Sequence, residues 1–449
     1  MTNQNRPWLI IPVEVQAREL LAKLVLANLA VERGYNVILG KDTVVRRLAG
    51  YLPKGVIYDK SLGLARHGKP QRFKRLGHSI AVMDEESTGF YGSPDMFLGV
   101  RLSDETLNCA ERWYCISAQL RQQAVKEYPN HASKFVVSGL PRTDTWRKEL
   151  QSLYQDDVAK LKNKYGRYIL FCSNFGGIVH ARGESFVRKQ LRGQTSAYSQ
   201  TQKEFERLFA EGRVNLEAFI NILPQVKNWF PDHKLIIRPH PSESIEFWQD
   251  AVGKLENCEV ISQGAASAWI LGSDCLLHHG CTTGIEAEIM GKAHIMYAPY
   301  PDNHHDTEVM KAFAPIVQDA QSLKQAMIDL VENQQVSQRD MQAKEAFFSN
   351  LEGKLVSEII LDDIDTFKLE AAPLSPFLGW AKYTPRMLIA GLKPRSKKAK
   401  AYANQKWSGI SVDAIDAIFK ILKEPLQSKS NIQVDEMLKD LFVLTKHKN

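Results

Sequence analysis

Two rhythms alternate along the chain: short apolar runs of strand length, and longer stretches in which apolar residues recur at helical spacing. Trp8 to Val13 reads as a strand, Arg18 to Arg33 as a helix ended by Gly34, and Asn36 to Leu39 as the next strand. Ser79 to Met83 is a further strand, Ile116 to Glu127 has helical spacing, and Lys134 to Ser138 runs as a short strand into Gly139-Leu140-Pro141-Arg142. After a charged helical connector, Asp144 to Lys164, a second series begins. Its strands are Tyr168 to Cys172, Lys234 to Arg238, Glu259 to Ser262, Asp274 to Leu277 and His294 to Tyr297, with helices Leu216 to Val226 and Ala265 to Leu271 between them. Such alternation predicts parallel sheets wrapped by helices, and its repetition predicts two doubly wound α/β domains, over 1–145 and 146–365. The polar stretch Gly183 to Gly212 fits neither rhythm. The remainder, 366–449, reads as a helical or irregular appendix to the two sheets.

Composition adds little until it is taken segment by segment. A length of 449 residues with 44% apolar content suits two or three domains with their own cores. The formal charge of +7 is modest, but Ala371 to Val412 contains no acidic residue and eight Lys or Arg, interleaved with Phe377, Trp380, Tyr383 and Trp407. That segment predicts docking on an anionic membrane surface; a solvated basic face, or a helix packed across both domains, are the alternatives. Confinement of the basic cluster to the tail argues against nucleic acid as a partner. No run approaches the roughly 20 apolar residues of a membrane span. The opening apolar run is interrupted by Pro12 and stopped by Glu14, unlike a signal peptide. Six cysteines without a CxxC pair read as buried thiols of a reducing cytoplasm.

Ligands of open parallel sheets bind beyond the carboxyl ends of the strands, so the loops that follow strands are where chemistry is expected. Ser173-Asn174-Phe175-Gly176-Gly177 is a small, glycine-containing loop that can bring backbone N–H groups against a phosphate, or simply turn. Arg238-Pro239-His240-Pro241 clamps a histidine between two prolines at a strand end. In His279-Gly280-Cys281-Thr282-Thr283-Gly284 the two threonines stand at a helix start, where free N–H groups and hydroxyls suit a phosphate; a plain N-cap is the alternative. Glu286, in the first turns of that helix, is placed for ribose hydroxyls or for the helix dipole. In the first domain, Asp84-Glu85-Glu86-Ser87-Thr88-Gly89 puts three carboxylates at a strand end, where mutual repulsion would raise one pKa towards general-base work. Glu14 and Arg18 follow the first strand and are expected in the same cleft. Asp363-Ile364-Asp365, lying outside both sheets, reads as a solvated helix face, and neither His278-His279 nor His304-His305 has a partner at zinc-site spacing. No metal and no cofactor are expected.

Taken in order, these segments resemble the bacterial surface-carbohydrate biosynthesis proteins of capsule and lipopolysaccharide, and more distantly the GT-B transferases that use CMP-Kdo or CMP-sialic acid. The residues carrying the resemblance are Ile11-Pro12-Val13-Glu14-Val15-Gln16-Ala17-Arg18-Glu19, Asp84-Glu85-Glu86, Gly139-Leu140-Pro141-Arg142-Thr143-Asp144, His240-Pro241 and His279-Gly280-Cys281-Thr282-Thr283-Gly284. The resemblance implies a GT-B protein, two Rossmann-like domains facing across a cleft, that moves a sugar, first choice Kdo from CMP-Kdo, onto a glycan or lipid-linked glycan acceptor. It implies Glu85 or its neighbours Asp84 and Glu86 as catalytic carboxylate, with Glu14 as a further candidate. His240, Thr282 and Thr283 would hold the nucleotide phosphate, with Pro241, Gly284, Ser173, Asn174, Gly176 and Glu286 around it and Arg238 and His279 nearby. Ser87 stands where the family pattern has glycine. The expected location is cytoplasmic, peripheral on the inner membrane. The competing functions are a UDP-sugar or CDP-glycerol transferase, a nucleotide-sugar 2-epimerase-like isomerase, and a non-catalytic polysaccharide-assembly protein.

Overall fold

The computed structural model describes residues 7–63, 68–87, 94–195, 202–300, 308–333, 341–369 and 406–447. Its strands are β1 (Trp8–Val13), β2 (Asn36–Lys41), β3 (Val56–Asp59), β4 (Ser79–Met83), β5 (Arg112–Cys115), β6 (Phe135–Val137), β7 (Tyr168–Cys172), β8 (Lys234–Arg238), β9 (Cys258–Val260), β10 (Cys275–His278), β11 (His294–Tyr297), β12 (Ile316–Val317), β13 (Ile432–Leu438) and β14 (Leu441–Lys446). They form an eight-stranded sheet in the order β13-β14-β2-β1-β3-β4-β5-β6 and a six-stranded sheet in the order β12-β11-β10-β7-β8-β9. The pairs from β2 to β6, and those throughout the second sheet, are parallel. Strands covered on both faces read as unbroken apolar runs, and β1 and β7 are buried at every position. Two doubly wound, Rossmann-like units are therefore present, as expected.

The chain divides into one unit made of Met1–Thr88, Phe97–Leu153 and Glu345–Asn449, and another made of Gly89–Met96 and Tyr154–Lys344. Boundaries near 145 and 365 thus shift to 153 and 344, because the helix Val356–Ile364 belongs to the first unit. There, Asp144 receives the N–H groups of Val356 and Ser357 at 2.8 and 2.9 Å, capping a helix whose own N-cap residue, Leu355, has no side chain to do so. Asp363 pairs with Arg112 at 3.0 Å and accepts from Tyr114 Oη at 2.9 Å, while Asp365 pairs with Arg33 at 2.8 Å and accepts from Tyr35 Oη at 2.7 Å. The expected solvated face also docks: Asp365 is exposed and Asp363 half-buried while making these bonds.

The appendix also differs from expectation. The helix Val412–Lys423 is followed by the β13–β14 hairpin, whose second strand pairs antiparallel with β2 through Leu441–Gly40 to Leu444–Val37. Leu441, Phe442, Val443 and Leu444 are buried, so their apolar surface belongs to the first unit's core. The polar stretch Gly183 to Gly212 contains the helix Glu184–Thr195 and the beginning of the helix Gln202–Trp229. His304 and His305, Thr88 and Gly89, and the basic segment up to residue 405 lie outside the described residues. None of the six cysteines is in a disulfide.

Candidate functional site

Both sheets have a point where strand order reverses, and crevices form there beyond the carboxyl ends. In the second sheet β7 lies between β10 and β8, so the reversal falls between the loops after β7 and β10. Asn174 Nδ2 donates to the Gly280 carbonyl at 3.3 Å, tying these loops together. Ser173 Oγ donates to Glu243 and accepts from the His240 N–H at 3.2 Å, adding the loop after β8. Glu243 also accepts from the Phe175 N–H at 2.5 Å and from Trp248 Nε1 at 2.7 Å. Burial raises its pKa against the lowering effect of these donors. Glu243 thus stands beneath the loop as its anchor.

His240 is exposed, and its Nδ1 accepts from the Ser242 N–H at 3.2 Å, with Ser242 Oγ 2.8 Å away. A backbone N–H can only donate, so Nδ1 is the acceptor and the neutral ring carries its proton on Nε2. The imidazole therefore offers an N–H donor without needing a charge. Cys281, extended at φ −114 and ψ 161, is the N-cap of the helix Thr282–Ile289 and makes no side-chain cap bond. Thr282 and Thr283 occupy the first helical positions, half-buried, where N–H groups lack intrahelical partners and the dipole favours an anion. Thr283 Oγ1 also lies 2.6 Å from Cys281 Sγ. Glycine is needed here for packing: a Cβ on Gly176 would sit 2.2 Å from Ser242 Oγ, and one on Gly284 2.3 Å from the His278 ring. These bonds bring together the loop, the imidazole and the helix start that the sequence places around a phosphate.

In the first sheet the order β2-β1-β3 places the reversal between the loops after β1 and β3. Glu14 and Lys60, which follow those strands, pair at 3.1 Å. Lys60 also reaches Glu19 at 3.5 Å and Glu86 at 3.9 Å, and Arg18 pairs with Glu86 at 2.7 Å. The three adjacent carboxylates have been given different environments. Asp84 is fully buried, held by Arg101 at 2.7 and 2.9 Å, by Ser61 at 3.1 Å and by the Glu86 N–H at 3.0 Å. Glu86 is 45% exposed at its side chain; partial burial pushes its pKa up, but Arg18 and Lys60 outweigh this and hold it at about 2. Glu85 is buried, 3.4 Å from Arg142 Nε, and its Oε2 has no hydrogen-bond partner among the described residues. Burial raises its pKa, with Glu19 adding to the effect while Arg142 and Lys23 oppose it. A buried carboxylate whose pKa is raised among cations is the kind of group that acid–base work uses, so Glu85 is the strongest candidate of the three.

No protein-family model and no curated protein matches this sequence. Among solved structures, UDP-GlcNAc 2-epimerase of Neisseria meningitidis bound to UDP-GlcNAc is similar at 12% identity and a TM-score of 0.46, over 81% of this chain and 100% of that one. A single-residue variant of the wall teichoic acid polymerase TagF with CDPG is similar at 10% identity and a TM-score of 0.44, over 81% and 89%. Anabaena HepE in complex with UDP is similar at 10% identity and a TM-score of 0.41, over 81% and 100%. The fold assignment rests on this chain's own strand order.

Several expected site residues are engaged elsewhere. His279 is fully buried, stacked on Phe175 at 5.1 Å and 11°, so its ring is part of the core. Arg238 gives its guanidinium to the carbonyls of Gln263 and Gly264 at 2.6 and 2.8 Å and lies over Trp269. Glu286 is buried and accepts from Ser267 Oγ. Glu14 and Arg18, by contrast, fall in one cluster, linked through Lys60 and Glu86. Lys406 and Trp407, expected at a membrane, are committed: Lys406 pairs with Glu14 at 2.8 Å, and the buried Trp407 donates to Asp440 at 2.8 Å. Glu243, Lys60 and Arg142 were not singled out as site residues. Only Arg142, inside Gly139-Leu140-Pro141-Arg142-Thr143-Asp144, lay in a marked motif. Among the described residues, no group of three His, Cys, Asp or Glu side chains is arranged to hold a metal ion, and no helix is long and apolar enough to cross a membrane.

Proposed function

We propose that this protein is a glycosyltransferase that binds a nucleotide-activated sugar on its second unit and uses Glu85 of its first unit in bond-making. The observation that supports this is the division of chemistry between two strand-order reversals: the His240 imidazole and the Thr282–Thr283 helix start at one, and a buried carboxylate of raised pKa among cations at the other. The Thr282–Thr283 helix start and His240 Nε2–H would stabilise the negative charge that grows on the departing phosphate. Glu85 would accept the proton of an acceptor hydroxyl as its oxygen bonds the anomeric carbon, the sugar–phosphate bond breaking with its electron pair retained by phosphate. Charge stabilisation by these groups needs no divalent cation, so chelator is expected to leave turnover unchanged. The motif resemblance favours a CMP-sugar, CMP-Kdo first, and a surface-glycan acceptor.

Thermal denaturation with CMP, UDP, CDP and GDP tests the donor. A nucleotide at a hundredfold excess over its Kd stabilises the native state by about 2.7 kcal/mol. CMP should raise Tm most. A response to UDP or CDP alone would move the donor to a UDP-sugar or CDP-glycerol, and silence to all four would favour a glycan-binding assembly role. Conversion of the donor into a sugar epimer without acceptor would make the protein an isomerase.

A further inference from the structure

Past Gly177 the loop after β7 continues as Ile178-Val179-His180-Ala181-Arg182, a stretch that carries none of the site residues considered so far. It is strapped to the loop after β8, which bears His240. His180 pairs antiparallel with Glu243, the Ala181 N–H donates to the Ser242 carbonyl at 2.8 Å, and the Ser244 N–H donates to the Val179 carbonyl at 2.8 Å. Backbones joined in this way run about 5 Å apart. Ser242 is also the residue whose Oγ stands 2.8 Å from His240 Nδ1. Arg182 therefore follows directly on a segment bonded to the support of the His240 ring.

His180 repeats the geometry of His240: its Nδ1 accepts the N–H of the residue two places on, here Arg182, at 2.9 Å. Burial, with the Arg182 charge adding to it, lowers the His180 pKa, so the ring is neutral at neutral pH and carries its proton on Nε2. The Arg182 guanidinium lies 3.7 Å from the centroid of the Phe186 ring, and the His180 ring meets the same phenyl at 5.1 Å. Stacking on an aromatic face holds the planar fork in place without using its N–H donors. Glu184, the carboxylate nearest in sequence, is already taken by Arg188 at 2.6 Å and Arg213 at 2.7 Å. Among the described residues the exposed Arg182 guanidinium has neither an ion pair nor a hydrogen bond.

An oriented guanidinium beside a neutral N–H donor is complementary to an oxyanion, and its attachment to the His240 loop suits an anion carried by the ligand bound there. We propose that His180 and Arg182 form a second anion subsite, which receives the anionic group of the donor next to the phosphate held at His240. Two sources supply such a group: the second phosphate of a nucleoside diphosphate donor, and a carboxylate on the transferred sugar. The inference rests on the nucleotide-donor reading above and adds to it the requirement that the donor carry two anions.

Calorimetric titration of the full chain with CMP, CDP and CMP-Kdo tests this in wild type, Arg182→Gln, Arg182→Lys and His180→Phe. CMP lacks the second anion, so its Kd should agree within about twofold across the set. A ligand that carries the second anion should bind about tenfold more weakly or worse to Arg182→Gln, with smaller losses in Arg182→Lys and His180→Phe. Weakening of CDP alone assigns the anion as a phosphate, weakening of CMP-Kdo alone as a carboxylate, and weakening of both as a subsite open to either. Arg182 is exposed, so its replacement leaves the core untouched, and unchanged CMP binding reports an intact nucleotide site. If His180→Phe disturbs the strap, Arg182→Gln decides the matter. Equal weakening of all three ligands, weakening of none, or binding of CMP without CDP or CMP-Kdo would overturn the subsite and leave nucleotide binding standing. Silence of wild type to all three would remove the nucleotide reading, and the subsite with it.

Discussion

Glu85 sits between Asp84 and Glu86 in sequence, yet its acidity is set mainly by burial, with Glu19 and Arg142 pulling in opposite directions. Serving as a base requires its ionised form, so turnover should fall as pH drops through a pKa raised above the usual carboxylate range. Glu85→Gln should leave nucleotide binding intact, lower kcat by about a hundredfold or more, and abolish that acid limb; near-normal turnover would return the role to Glu14 or Glu86. Glu243 acts at one remove. An amide there keeps the shape but turns one accepting end into a donor, against Ser173, the Phe175 N–H and Trp248. Glu243→Gln should therefore weaken nucleotide binding by about 1–3 kcal/mol, read as Kd by calorimetry, with kcat at saturation preserved. Composition and spacing located the acidic turn and the His240 and Thr282–Thr283 loops. They could not separate three neighbouring carboxylates, because Arg101, Arg142 and Lys60, which distinguish them, come from other elements.

At the scale of elements, Asp144 is a helix cap supplied from a distant part of the chain. Burial raises its pKa from the ordinary 3.8 to about 6, despite the Ser357 and Val356 N–H groups and Arg147, which lower it. A raised folded-state pKa gives stability that is present at low pH and lost as pH rises from about 3.8 through about 6. Asp144→Ala should flatten that slope in Tm against pH. It should also cost about 1–3 kcal/mol for each buried N–H left unpaired. Strands of five or six residues buried at all or nearly all positions, such as β1, β4, β7 and β8, were legible because a long apolar run is a strong signal. The four-residue strands β3 and β5 were not, since Val56–Asp59 and Arg112–Cys115 carry polar ends within too short a window. The β13–β14 hairpin was missed for another reason: its partner β2 is about 400 residues away, and nothing local announces it.

For the whole molecule, the two alternating series announced two sheets, but the path between them is asymmetric. The second unit is nearly continuous, whereas the first is assembled from separated segments. A fragment spanning 154–344 should therefore fold alone, unfold cooperatively, and retain CMP-induced stabilisation, measured by calorimetry. Docking of the segment 371–412 on an anionic leaflet remains an expectation from sequence, resting on its cations up to Lys400, which lie outside the described residues. Full-length protein should sediment with anionic vesicles but not neutral ones, and be released by salt; equal binding to both would exclude this. The hairpin that completes the first sheet bears on biosynthesis. As the chain emerges from the ribosome, β2 is made early and β14 some 400 residues later, so the nascent sheet waits with one flank unpaired. The second unit can finish during that interval, while the first cannot close until translation has passed residue 444. Stop codons ahead of residue 441 would leave that flank open to aggregation, and nascent-chain chaperones would be needed until the hairpin has emerged.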